Sequence, residues 1–99
     1  MSIVRPKTFK SLGVINYNGK RWTYYDEKVL PGKGLNIPGR HTADNLVQDG
    51  NGYVCLASRD YAKGKVLKIP LKRANGSQYS GKVYDYCPTS GTVDIYVNL

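Results

Sequence analysis

The sequence predicts an all-β fold, a single small barrel, on three observations. Four to seven short runs rich in Val, Ile, Tyr and Thr recur along 99 residues. Turn-forming Gly, Asn and Pro clusters separate them roughly every eight to twelve residues. Finally, no segment carries a helical apolar period over ten residues. A chain of this length buries one modest core and leaves no room for a separate binding module.

The N-terminal residues 1–11 hold Arg5, Lys7 and Lys10 beside Pro6 with little apolar pattern, which predicts a basic arm ahead of a barrel domain over residues 12–99. Residues 12–17 read as a strand, Asn18-Gly19 as a type I′ hairpin turn, and residues 20–25 as the returning strand. Alternation puts Trp22 and Tyr24 on one face, and Arg21, Thr23 and Tyr25 on the other. One of those faces is core and the other is free to serve as a stacking platform. Residues 26–39 carry two prolines and three glycines that no helix tolerates, so a long loop is expected, tied down by Val29, Leu30, Leu35 and Ile37. Its Gly32-Lys33-Gly34 lacks phosphate-loop spacing.

Asp49-Gly50-Asn51-Gly52 forms a turn, and residues 53–57 are a continuous apolar strand of the kind buried in a barrel. Lys63-Gly64 turns the chain into residues 65–71, where Pro70 confines the strand to an edge or an end. Asn75-Gly76 and a polar connection over residues 77–80 lead to the last two runs, 82–86 and 92–97, joined through Pro88-Thr89-Ser90-Gly91 by a hairpin or a tight crossover. Each of these runs holds one acid among apolar neighbours, Asp85 and Asp94, and Asp is disfavoured there unless it faces solvent, caps a turn or does chemistry.

Fifteen Lys and Arg against seven Asp and Glu give a formal charge of +8, a field that attracts polyanions such as nucleic acid, anionic lipid or wall phosphate polymers. Arg59, Lys63, Lys65, Lys68, Lys72 and Arg73 face only Asp60 within their interval. No apolar run approaches the roughly 20 residues of a membrane helix, and residues near the N-terminus lack a signal-peptide core. The expectation is a soluble protein made in the cytoplasm. Cys55 and Cys87 have no metal-ligand spacing with each other or with the single His41, so neither zinc nor another cofactor is expected. A Cys87–His41 nucleophile pair has no support in spacing.

Val83-Tyr84-Asp85 and Val93-Asp94-Ile95-Tyr96, with Tyr53-Val54-Cys55-Leu56-Ala57 followed by the Lys63-Gly64 turn, resemble the three-aspartate domain of cell-wall lytic enzymes from Gram-positive bacteria and their phages. That resemblance spans roughly residues 22–99 and implies a six- or seven-stranded double-psi-type β-barrel, related in fold to expansins and lytic transglycosylases. By spacing from Gly64, the family's first aspartate falls on Ala57, with Asp60 the nearest acid. In such a barrel Cys55 lies near the segment after Asp85, which leaves a disulfide or two buried thiols open.

The resemblance further implies cleavage of peptidoglycan glycan strands. That reaction needs a carboxyl to protonate the glycosidic oxygen and then act as base, with a second carboxylate a few ångströms away to keep the proton available near neutrality. Asp85 is assigned as acid/base and Asp94 as its partner, with Tyr24, Tyr25, His41, Thr42, Tyr84 and Tyr96 lining the substrate cleft. Delivery by phage or release on lysis would bring the domain to the wall. The competing class is a non-catalytic binding module, for wall polymer or single-stranded nucleic acid, because nine Tyr and one Trp on a basic barrel also suit base stacking.

Overall fold

The computed structural model describes residues 3–26 and 36–98. Within them the chain runs α1 (Pro6–Leu12), β1 (Ile15–Tyr17), β2 (Lys20–Asp26), β3 (His41–Ala43), β4 (Leu46–Gln48), β5 (Val54–Ser58), β6 (Val66–Lys72), β7 (Gln78–Asp85) and β8 (Thr92–Val97). Most of the long loop, with Val29, Leu30 and Leu35, lies outside the described residues.

The strands form one mixed sheet in the order β1-β2-β8-β4-β5-β7-β6, with β3 attached to β4 and β5 also paired to β8. The seven strands of that path curl into a nearly closed all-β barrel, a single domain as predicted. Two parallel pairings, β2 with β8 and β5 with β7, sit among antiparallel ones. Side chains help to span the gap between the end strands, Gln78 Nε2 donating to Tyr17 Oη at 2.9 Å and to the Ile69 carbonyl at 2.9 Å.

Asn18 and Gly19 take φ of 51° and 74°, the left-handed pair that the β1–β2 turn requires. The β3–β4 hairpin turns on Asp44 and Asn45, at 53° and 63°. β7 begins at Gln78, so all but Ser77 of the segment expected as a polar connection is strand. β6 is the end strand of the sheet order, and its register with β7 breaks between Lys68 and Lys72, the stretch containing Pro70, which has no N–H to donate.

Inside the barrel, Trp22, Leu46, Val54, Leu56, Ile69, Leu71, Val83, Val93, Ile95 and Val97 pack with Phe9 from α1. The described part of the basic arm is therefore built into the domain, and the boundary expected at residue 12 falls within α1. Proline starts the helix, where its missing N–H costs nothing, and Gly13 ends it, its N–H returning to the Phe9 carbonyl at 2.8 Å. Just before it, Val4 exchanges backbone hydrogen bonds with Pro70 and Lys72 along β6, and Arg5 forks onto Asp44 at 2.5 and 2.7 Å.

Gly81 faces this core, and a Cβ there would lie 2.7 Å from Leu56 Cδ1. Gly81→Ala is expected to lower stability by about 1–3 kcal/mol through overpacking against a fully buried neighbour, measured as the shift in urea midpoint.

Candidate functional site

The opposite face of β4, β5 and β8 carries a second, smaller cluster: Val47, Cys55, Ala57 and Tyr96, covered by Ile37 and Cys87 with Tyr84 beside them. β5 is buried at every residue because it serves both clusters, the physical reason for its unbroken apolar run. Asp85 and Asp94 reach the margin of this cluster, but not from adjacent strands. β7 and β8 flank β5, and Ala57 is the register partner of both acids. The last two strands thus form a crossover past β5 and not a hairpin. Two inter-strand spacings put the Asp85 and Asp94 Cα atoms about 9–10 Å apart.

Simple alternation would aim Asp85 to the same side as Val83, into the barrel. A register shift between Leu56 and Ala57 changes this: Val83 pairs with Leu56, Asp85 with Ala57, and Tyr84 is the extra residue. Such a bulge re-aims the side chain that follows it. Asp85 accordingly meets Tyr96 of the outer face, whose hydroxyl donates to Oδ2 at 2.7 Å, while the Tyr86 N–H donates to Oδ1 at 2.8 Å. Asp94 accepts a hydrogen bond from the Thr23 hydroxyl on β2. Both acids are half-buried.

The expected cleft residues divide. Tyr25 is on the outer face, 39% exposed, its ring edge-on to Tyr96 at 6.1 Å. Tyr24 is not part of this face: it packs edge-on against Phe9 at 5.4 Å, on the side of β2 that Trp22 shares. Tyr96 is only 3% exposed, so it can hold Asp85 but cannot present a ring to a sugar. Burial, then the Asp85 hydrogen bond, pushes its phenol well up, and it remains a donor through the neutral range. Tyr84 donates to Asp49 Oδ2 at 2.6 Å and has Lys82 Nζ 5.5 Å above its ring. Thr42 pairs in register with Val47. His41, exposed on β3 and opposite Gln48, donates from Nδ1 to the Gly39 carbonyl at 3.0 Å.

Sequence reasoning passed over Thr23, although its alternation with Tyr25 places it on the right face. It also left out Tyr86, 57% exposed beside Asp85. Cys55 and Cys87 are both free and buried, the second of the two states left open. Burial pushes the Cys55 thiol up to about 12 and raises Cys87 as well, so neither is a thiolate nucleophile at neutral pH. Among the described residues no three His, Cys, Asp or Glu side chains gather as metal ligands. Open depressions of about 600 and 350 Å³ lie elsewhere, at the β1–β2 turn and beside Arg5 and Asp44.

Asp49 anchors the loop under Tyr84. Burial alone would raise its carboxyl, but hydrogen bonds from Tyr84 and from the Tyr53 and Asn51 N–H groups outweigh that and hold it below the usual range. The Arg5 fork does the same for Asp44. A carboxyl depressed in the folded state contributes stability above its unfolded pKa and loses it as pH falls through the folded value. Thermal midpoints are therefore expected to be flat from pH 7 to 5 and to fall steeply below about pH 4. Tyr84→Phe should cost about 1.5–3 kcal/mol at pH 7, and less at pH 3.

No family model, no curated protein and no solved structure matches this chain. No helix among the described residues is long and apolar enough to cross a membrane.

Proposed function

We propose that this barrel acts on the glycan strands of peptidoglycan, with Asp85 as acid/base and Asp94 as its partner. The observation that supports it is the β7 bulge, which turns Asp85 out of the core onto the face where Asp94 already stands. A strand spends regular pairing on such a bulge where a side chain has to be aimed.

In the reaction, Asp85 protonates the glycosidic oxygen as the bond from C1 to that oxygen breaks. The carboxylate left behind then takes a proton from the attacking water, or from a hydroxyl of the same sugar. Two donors, Tyr96 Oη and the Tyr86 N–H, fix its orientation, and Asp94, steadied by Thr23, offers negative charge to the oxocarbenium-like sugar. Tyr25 and Tyr86 supply exposed aromatic surface for sugar rings. Incubation with purified sacculi tests the reading: soluble muropeptides with anhydro or reducing ends support it.

One observation favours the non-catalytic alternative. Ala57, standing where the resemblance puts the family's first aspartate, is 3% exposed, so the row between the two acids is filled by apolar packing. Retention on sacculi without release of fragments would select that wall-binding reading.

A further inference from the structure

We infer that the turn into β6 and the outer face of that strand bind a phosphodiester polymer without bases, a chain of the poly(polyol phosphate) type, through Lys63, Lys65 and Lys68. The inference does not depend on cleavage at Asp85. All three lysines are exposed, and Lys68 stands on the outer side of β6 with Val66, opposite the half-buried Leu67 that packs on the core. Asp60, the one acid within residues 59–73, is already engaged: it accepts from Lys20 Nζ at 2.9 Å, from the Gly91 N–H at 2.7 Å and from the Ser90 hydroxyl at 3.1 Å. The strip is thus left as positive charge unbalanced by that acid. Other basic residues of the domain are spent differently, Arg5 on Asp44 and Arg73 stacked 4.4 Å over Tyr79.

The position of the strip is fixed. The Gly64 N–H donates to the Val83 carbonyl at 2.7 Å and the Val83 N–H to the Lys65 carbonyl at 3.0 Å, so the turn is clamped beside β7 two residues before Asp85. An edge strand needs lysines on its open ladder to discourage aggregation. Lys63 and Lys65 lie in the turn instead, where that need does not arise.

Charge alone suits any polyanion, and the aromatic residues decide among them. Single-stranded nucleic acid is held by alternating cations and open aromatic faces. Tyr61 is the one aromatic residue within 59–73, and its half-buried ring is already occupied, packing against the barrel core with Lys20 Nζ 5.3 Å from its centroid; the exposed ring of Tyr86, beyond Asp85, does not by itself make the alternating track that bases need. A phosphate chain that asks for no stacking fits this surface better.

The test is binding of synthetic poly(glycerol phosphate) to the purified protein, followed calorimetrically across 50–200 mM salt. Three phosphate contacts predict a log–log salt slope of about −2, which is a roughly fifteenfold loss of affinity over that range. Lys63→Gln/Lys65→Gln/Lys68→Gln is expected to weaken binding at least about tenfold at low salt. Lys7→Gln/Lys10→Gln/Arg21→Gln removes the same charge from other exposed positions and is expected to stay within about twofold. Equal losses in the two triple variants would mean attraction by net charge only and would overturn the inference. So would the absence of saturable binding, or tighter binding of an oligothymidylate of similar length that is lost in the first variant.

Discussion

Asp85→Asn is expected to reduce muropeptide release from sacculi by about 10²–10⁴-fold, the range that a positioned general acid or base contributes. Asparagine is close to isosteric and still accepts from Tyr96 Oη through its carbonyl oxygen, losing only the exposed bond from the Tyr86 N–H, which water can replace, so circular dichroism and the urea midpoint should change little. Asp94→Asn should lower release by a smaller factor, because its role is electrostatic and its bond from Thr23 can persist. Tyr96→Phe separates positioning from chemistry. It leaves the acid in place but removes the hydroxyl that orients it, so release should fall by a smaller factor than in Asp85→Asn. Undiminished release by Asp85→Asn would remove this residue from the reaction altogether.

The second large effect is on stability. Phe9→Ala is expected to cost about 3–5 kcal/mol, because a fully buried aromatic ring is removed from a site where Leu71, Ile69 and the Tyr24 edge cannot close the gap. Since α1 has only seven residues, it cannot persist by helix propensity alone, and the cavity should also release the helix from the barrel. Amide hydrogen exchange would report this as loss of protection in residues 6–13 together with a lowered urea midpoint. A drop below about 1 kcal/mol would mean that α1 lies on the barrel without supporting it.

Much of the fold is legible along the chain because its causes are local. Asn18-Gly19 specifies its turn through two positive φ values, and the unbroken apolar run of β5 announces burial on both faces. The helix is not legible, since one phenylalanine among lysines gives no periodic signal over two turns. The β3–β4 hairpin could have been found from Asp44-Asn45, both residues that tolerate left-handed backbone.

For the site, alternation correctly separates Trp22 and Tyr24 from Thr23 and Tyr25, but only packing decides which pair faces inward. Likewise, that β5 comes between β7 and β8, and that a bulge turns Asp85 outward, are properties of pairings between distant segments. No spacing within residues 82–97 contains that information.

The pairing of β8 has a consequence for how the chain reaches its folded state. This single strand touches β2, β4 and β5, and its parallel partner β2 lies some seventy positions earlier, Thr23 being opposite Asp94. Until residues 92–97 are available, β2 has only the three-residue β1 beside it, and β5 lacks a partner over Leu56 to Ser58 on the side away from β7. The closing of a loop that long must precede the pairing of β2 with β8, which places folding in the slow, millisecond-to-second class of non-local β topologies. A nascent chain would therefore present unpaired strand edges until residues 92–97 left the ribosome.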